Sequence, residues 1–178
     1  MRYEWLVPLG IAGAVAPVAQ IAYSAEYMSV EAAQKAAFAD ATTFEPVVAS
    51  AAAKADVARD AGRFTVDPRI WRVSANGRAL GWFIVDEVIG KQELITYGVA
   101  LDSSGAVTSL DILAYRETHG DAIRLPAWRS QFTGKRAGDP VKLDTDIRNI
   151  SGATLSCRHV TEGVHRLLLL YEHALAHG

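Results

Sequence analysis

The sequence predicts an α+β fold, an antiparallel β-meander sheet packed with N-terminal helices and a long C-terminal helix. Three observations lead there. Between residues 70 and 115, four short stretches rich in Val, Ile, Trp, Phe and Tyr are separated by tight-turn sequences. Ahead of them lie two stretches, the second alanine-rich, whose apolar residues recur at helical spacing. Behind them, residues 151–176 carry one long apolar stripe.

In chain order, Ser29 to Phe44 reads as a helix. Ser29 can cap it, Glu26 and Glu31 sit near the positive end of its dipole, and Val30, Ala33, Ala37 and Phe38 share a face. Thr42, Thr43 and Pro46 stop it. Val47 to Ala61 reads as a second helix, ended by Gly62. The strands are Ile70–Ser74, Leu80–Val88, Glu93–Leu101 and Val107–Tyr115. Asn76-Gly77 is a hairpin turn, because both residues tolerate positive φ. Gly90-Lys91 and Asp102-Ser103-Ser104-Gly105 make the next two turns. Trp71 and Val73, then Trp82 and Ile84, alternate with their neighbours as a half-buried sheet requires. A polar loop, Arg116 to Asp121, follows. Arg124–Phe132 is a short helix with Trp128 and Phe132 one turn apart. Gly134-Lys135 ends it, and Leu143–Ile150 is an extended approach to the last helix. In that helix Val160, Val164, Leu167, Leu168, Tyr171 and Leu175 form the stripe, with Arg158, His159, Glu162 and Arg166 mostly off it.

A chain of 178 residues accommodates one domain and an appendage, assigned here as 25–178 and 1–24. In the appendage, Arg2 precedes an apolar run from Leu6 to Ala22 broken only by Gln20, and Ala22-Tyr23-Ser24 offers small residues at a cleavage site. This is the layout of a secretory signal peptide, with an uncleaved membrane anchor as the alternative. Either one keeps Arg2 inside and exports the rest, so the expected location is periplasmic or otherwise extracytoplasmic. The formal net charge of -2 provides no basic field, and aromatics are not interleaved with Lys/Arg runs, which excludes nucleic acid as the expected partner. Cys157 is the only cysteine, so no internal disulfide and no cysteine zinc site can form. No glycine-rich dinucleotide or Walker loop occurs.

The candidate site is Ser151-Gly152-Ala153-Thr154-Leu155-Ser156, a small-residue turn feeding a helix N-terminus. Unpaired N–H groups and the dipole favour a phosphate there, with Thr154 presenting an oxygen to it. An ordinary capped helix start, with Ser151 or Thr154 as cap, explains the same residues.

The hexapeptide resembles the flavinylation motif of the FMN-binding domain family, which includes the exported C and G subunits of the sodium-pumping NADH:quinone reductase and Rnf complexes. Further segments are similar in the same order: Asp86–Lys91, Tyr97–Asp102, Tyr115-Arg116-Glu117-Thr118-His119-Gly120, and Trp128–Lys135. Together they cover about residues 70 to 172, an ordered set far more specific than one short motif. The resemblance implies FMN carried on Thr154 through its phosphate. It implies a separate flavin transferase that draws on FAD and a divalent metal, the metal belonging to the transferase. It also implies a membrane electron-transfer partner and the role of an electron carrier, not a stand-alone enzyme. Ser151, Gly152, Ala153, Leu155 and Ser156 would surround the attachment point. Glu117, Thr118 and Gly120 would lie near the ring or the ribityl chain, and Lys135 near the phosphate. Two positions depart from the family pattern: Arg148 stands where an acidic residue is usual, with Asp144 and Asp146 close by, and His119 stands where many members have Pro. A cofactor-free binding or regulatory module and a noncovalent FMN-binding accessory subunit are the competing expectations.

Other constellations point to less. His173 and His177 are one helical turn apart without a third ligand, and no metal site is assigned. His159 with Ser151 or Ser156 lacks a nucleophile elbow. Cys157, in the first turn of the last helix, is either an activated thiol or a small packed residue. Trp128 and Phe132 either flank a flavin or pack in the core.

Overall fold

The computed structural model describes residues 25–176. The leader or anchor expected over 1–24 lies outside them, as does His177.

The fold is α+β as expected. Its six strands are β1 (Ala25–Glu26), β2 (Thr43–Val47), β3 (Arg69–Ala75), β4 (Arg78–Ile89), β5 (Leu94–Asp102) and β6 (Val107–Tyr115). They form one sheet in the order β1-β6-β5-β4-β3-β2, every neighbouring pair antiparallel. The Asn76-Gly77 turn closes the Ala75–Arg78 pair with φ of 50° and 79°, the conformation that twists with the flanking strands.

Alternation sends side chains to two faces. Ile84, Tyr97, Val99 and Ile112 point into the main core, which helices α2 (Ala51–Ala61) and α4 (Thr154–Leu170) cover. Phe83, Val85, Ala100 and Leu113 point the other way, into a smaller core under Ala33 of helix α1 (Val30–Ala37). The central strands β4 and β5 are buried on both faces, so the half-buried alternation expected around Trp82 and Ile84 does not hold. Phe83 and Val85 are buried as well, in the second core, which explains the near-continuous apolar sequence.

Three local expectations are corrected. The first helix stops at Ala37, and the residues read as its end form the edge strand β2, paired with β3 from Thr43–Ser74 to Val47–Ile70. Thr43, Phe44 and Val47 suit a strand, and Pro46 is tolerated because β2 is outermost. The second helix accordingly starts later, at Ala51. Ser29 and Ser50 cap α1 and α2 through the amides of Ala32 and Ala53. Second, Arg124–Phe132 is not one helix but single turns: a 3-10 turn at Asp121–Arg124, α3 (Pro126–Arg129) and a 3-10 turn at Ser130–Phe132. Pro126 holds Leu125 extended (φ -58°, ψ 127°) and breaks the run. Third, the approach to α4 is a tight turn, not extended: Asp144 (φ 62°) donates to the Ile147 carbonyl at 2.8 Å, and the amides of Thr145, Asp146 and Ile147 converge on the Lys142 carbonyl.

Helix α4 carries the expected stripe, then widens into a π turn over Tyr171–Leu175. Arg166, expected off the stripe, is 8% exposed and stacks on Phe64 beyond α2, its guanidinium carbon 5.9 Å from the ring centroid. Gly163 lets α4 approach the sheet. A Cβ there would fall 2.0 Å from Tyr97 Oη and 2.9 Å from its Cζ, both buried. Gly163→Ala is therefore expected to destabilise the fold by about 1–3 kcal/mol through overpacking, exceeding the gain of about 1 kcal/mol in helix propensity. Urea unfolding measures the balance, and a more stable variant would refute the close approach.

Candidate functional site

The first turn of α4 is built differently from those of α1 and α2. Its N-cap is Ala153 (φ -123°, ψ 17°), and no side chain caps it. The capped start with Ser151 or Thr154 is thus not what forms. Gly152 at φ 84° makes the left-handed bend that lets the Ala153 amide reach the Ile150 carbonyl at 3.0 Å. The first turn of this seventeen-residue helix carries neither an acidic residue nor a side-chain cap, so the helix supplies its own dipole there without a counter-charge of its own. Thr154 is half-buried and its Oγ1 accepts a bond from Asn149 Nδ2 at 3.2 Å. Ser151, Gly152 and Leu155 are exposed, whereas Ala153 and Ser156 are buried beneath them.

Ser156 ties this turn to the loop after β6. The Tyr115 hydroxyl donates to the His119 carbonyl at 2.6 Å and accepts from Ser156 Oγ at 2.8 Å. Burial pushes the Tyr115 phenol above its ordinary value, despite the Ser156 bond, so the donor stays protonated. Gly120 (φ 97°) packs onto the junction. A Cβ there would lie 2.7 Å from Tyr115 Oη and 2.9 Å from Ser156 Oγ. The structure therefore brings Gly120 and its loop against the motif, with Thr118 exposed in that loop. Tyr115→Phe leaves the Ser156 hydroxyl and the His119 carbonyl without this partner, an expected loss of about 1–3 kcal/mol. Faster amide exchange in residues 116–121 and 154–157 would accompany it. Unchanged exchange there would show that the phenol does not couple the two segments.

Glu117 is turned elsewhere. Its Oε1 accepts the amides of Lys91 (2.5 Å), Gln92 (2.5 Å) and Glu93 (2.8 Å), so it holds the β4–β5 turn. Burial pushes this carboxyl up, but the three amides and Lys91 outweigh it and hold its pKa below the usual value. Lys135 is not brought to Thr154. Its backbone pairs with Val107 at the opposite end of β6 from Tyr115, and its ammonium pairs with Asp146 at 2.8 Å. Trp128 and Phe132 are 3% and 0% exposed, packed edge to face at 5.1 Å, which is the core role.

Three features of the site are not read from the sequence. Asn149 contacts Thr154. Tyr115 joins loop to helix. Gln131 and Trp128 clamp the chain ahead of the motif: Gln131 Oε1 accepts the Arg148 amide at 2.7 Å, and Trp128 Nε1 donates to the Arg148 carbonyl at 2.9 Å. The signals that could reveal them are the Trp-x-x-Gln spacing and a tyrosine ending an apolar strand, whose buried hydroxyl needs a partner.

The weaker constellations do not assemble. Ser156 is bound to Tyr115, and His159 Nδ1 faces the Gly90 carbonyl at 2.9 Å. Cys157 is fully buried and its thiol pKa is raised, chiefly by burial, so it is a packed residue. Among the described residues there is no cluster of three or more His, Cys, Asp or Glu side chains fit to hold a metal, and no helix long and apolar enough to cross a membrane.

Residues 90–169, from the β4–β5 turn through most of α4, match the model of the FMN-binding domain family. The chain is also similar to the G subunit of the Na(+)-translocating ferredoxin:NAD(+) oxidoreductase complex of Acetobacterium woodii, with 26% identity over 111 residues, 55% of this chain and 52% of that protein. It thus spans about half the length of that relative.

Proposed function

We propose that this chain is an exported flavoprotein electron carrier whose FMN is joined to Thr154 by a phosphoester bond. The observation that carries the reading is the uncapped start of α4, inside the family-matched stretch, with the Thr154 hydroxyl half-exposed beside it. The residues present fit the phosphate end of FMN. Free first-turn amides and the helix dipole favour an anion there, and Gly152 and Ala153 keep bulk away from the threonine. In the loading step the Thr154 Oγ forms a bond to the flavin-side phosphorus of FAD. The pyrophosphate bond breaks, AMP leaves, and the hydroxyl proton passes to a base of the flavin transferase, which also supplies the divalent metal.

Once bound, the isoalloxazine ring supplies the acceptance and donation of electrons. The chain's residues attach and orient it. Ser151 to Ser156 surround the ester, and Thr118 and Gly120 border it through the Tyr115–Ser156 junction. Glu117 acts through the turn it holds, and Lys135 through the Asp146 pair that steadies the approach loop. Covalent attachment suits a compartment that does not make FMN, because the cofactor cannot dilute away. Residues 1–24 act as signal peptide or anchor and 25–178 as the FMN-binding domain, periplasmic or otherwise extracytoplasmic. There it exchanges electrons with a membrane redox partner, as the complex named for the relative suggests.

Arg148, exposed where the family usually has an acid, favours a second reading, a cofactor-free module of the same fold. Co-expression with a flavin transferase, followed by denaturing gel electrophoresis, separates the readings. Fluorescence that stays with the chain supports the carrier. Fluorescence that washes out indicates a noncovalent accessory subunit, and a dark band indicates the cofactor-free module.

A further inference from the structure

We infer that Asn149 is the positioning residue for loading Thr154: its side-chain amide aims the threonine oxygen and then serves the phosphate bound to it. This rests on the reading of Thr154 as the attachment point.

A threonine in a helix has a competing use for its hydroxyl, a bond back to the carbonyl four residues earlier. Thr161, in the same helix, does this, donating to the Cys157 carbonyl at 2.6 Å. Thr154 does not. Its equivalent carbonyl, Ile150, is taken by the Ala153 amide, and its Oγ1 is held by Asn149 Nδ2 at 3.2 Å. An accepted bond occupies one lone pair and leaves the other lone pair and the proton free to face an incoming phosphorus. The donor is not placed by chance. Gln131 and Trp128 pin the amide and carbonyl of the preceding residue, and Trp128 is itself buried. Asn149 also does nothing for the helix terminus, since it contacts a side-chain oxygen and no orphan amide.

After esterification Oγ1 becomes a bridging oxygen and a poor acceptor. The non-bridging phosphate oxygens then lie within reach of the same NH2 group, and the new bond is charge-assisted. Asn149 would therefore stabilise the product more than the free hydroxyl, and the transition state with it.

The test uses the full chain with purified transferase, FAD and its divalent metal, following covalent flavin by intact mass. Asn149→Ala is expected to lower the loading rate at saturating chain about tenfold, the worth of one good hydrogen bond. Asn149→Asp has the same size but cannot donate and carries like charge, so it should load at least as slowly. Both variants should melt within a degree or two of the parent, since the bond is exposed. Loading of either variant at the parental rate overturns the inference alone. A parent chain that never loads overturns the flavinylation reading and this inference with it.

Discussion

Replacing Thr154 with Val is expected to give a folded chain that carries no covalent flavin under conditions that load the parent completely. Valine keeps the β-branched shape and volume but has no oxygen to form the ester. The position is half-buried at the first turn of α4, and the hydroxyl makes a single exposed bond, to Asn149. The stability cost should therefore stay within about 1 kcal/mol. Intact mass after co-expression with the transferase is the measurement, with a melting curve as control. The motif's other hydroxyls are poor substitutes. Ser156 is 4% exposed and bound to Tyr115, and Ser151 sits ahead of the Gly152 bend, outside the helical turn. A Val variant that still gains the flavin mass would move the attachment point elsewhere.

The second large effect belongs to a buried acid away from the site. Asp86 on β4 is 2% exposed, and its Oδ2 accepts from Tyr97 Oη at 2.5 Å while Oδ1 has no partner among the described residues. Burial raises its pKa from 3.8 to about 6, and the Tyr97 bond and the Arg166 charge only partly oppose this. The native state therefore holds the proton more tightly than the unfolded chain does. The resulting stability is fully present below about pH 3.8 and is lost as pH rises through about 6. A shift of about two units corresponds to about 3 kcal/mol. Asp86→Asn keeps an acceptor for Tyr97 and carries no charge. Its stability relative to the parent should rise between about pH 4 and 7, by up to about 3 kcal/mol. Glu117, Asp102 and Asp146, whose pKa values are lowered, titrate in the opposite sense, and the difference between the two proteins cancels them. Parallel stability curves across that range would show that Asp86 ionises freely in the fold.

The two effects differ in how far their causes reach along the chain. The proposal of Thr154 as the attachment point rests on six adjacent residues and an ordered set of motifs, all legible in the amino-acid sequence alone. Tyr97 and Asp86 sit in segments read correctly as strands, yet their pairing depends on the β4–β5 register, which places Asp86 opposite Tyr97. Glu117 shows the same divide. Its motif assigns it to the cofactor's surroundings, and its carboxylate is taken by a turn more than twenty residues earlier in the chain.

By itself the sequence determined what short-range physics controls. The Asn-Gly turn, the β-branched and aromatic strand segments, the apolar stripe of α4 and the small-residue turn ahead of Thr154 each follow from steric preference or spacing within a few residues. Only the tertiary structure decided that 43–47 is an edge strand, that α4 begins without a cap, that Lys135 pairs with Asp146, and that Asn149 reaches Thr154. The physical reason is that a strand's alternative conformations differ little in local energy until a partner strand supplies its hydrogen bonds. A polar side chain likewise takes whichever donor or acceptor the packed sheet and helices bring within about 3 Å of it.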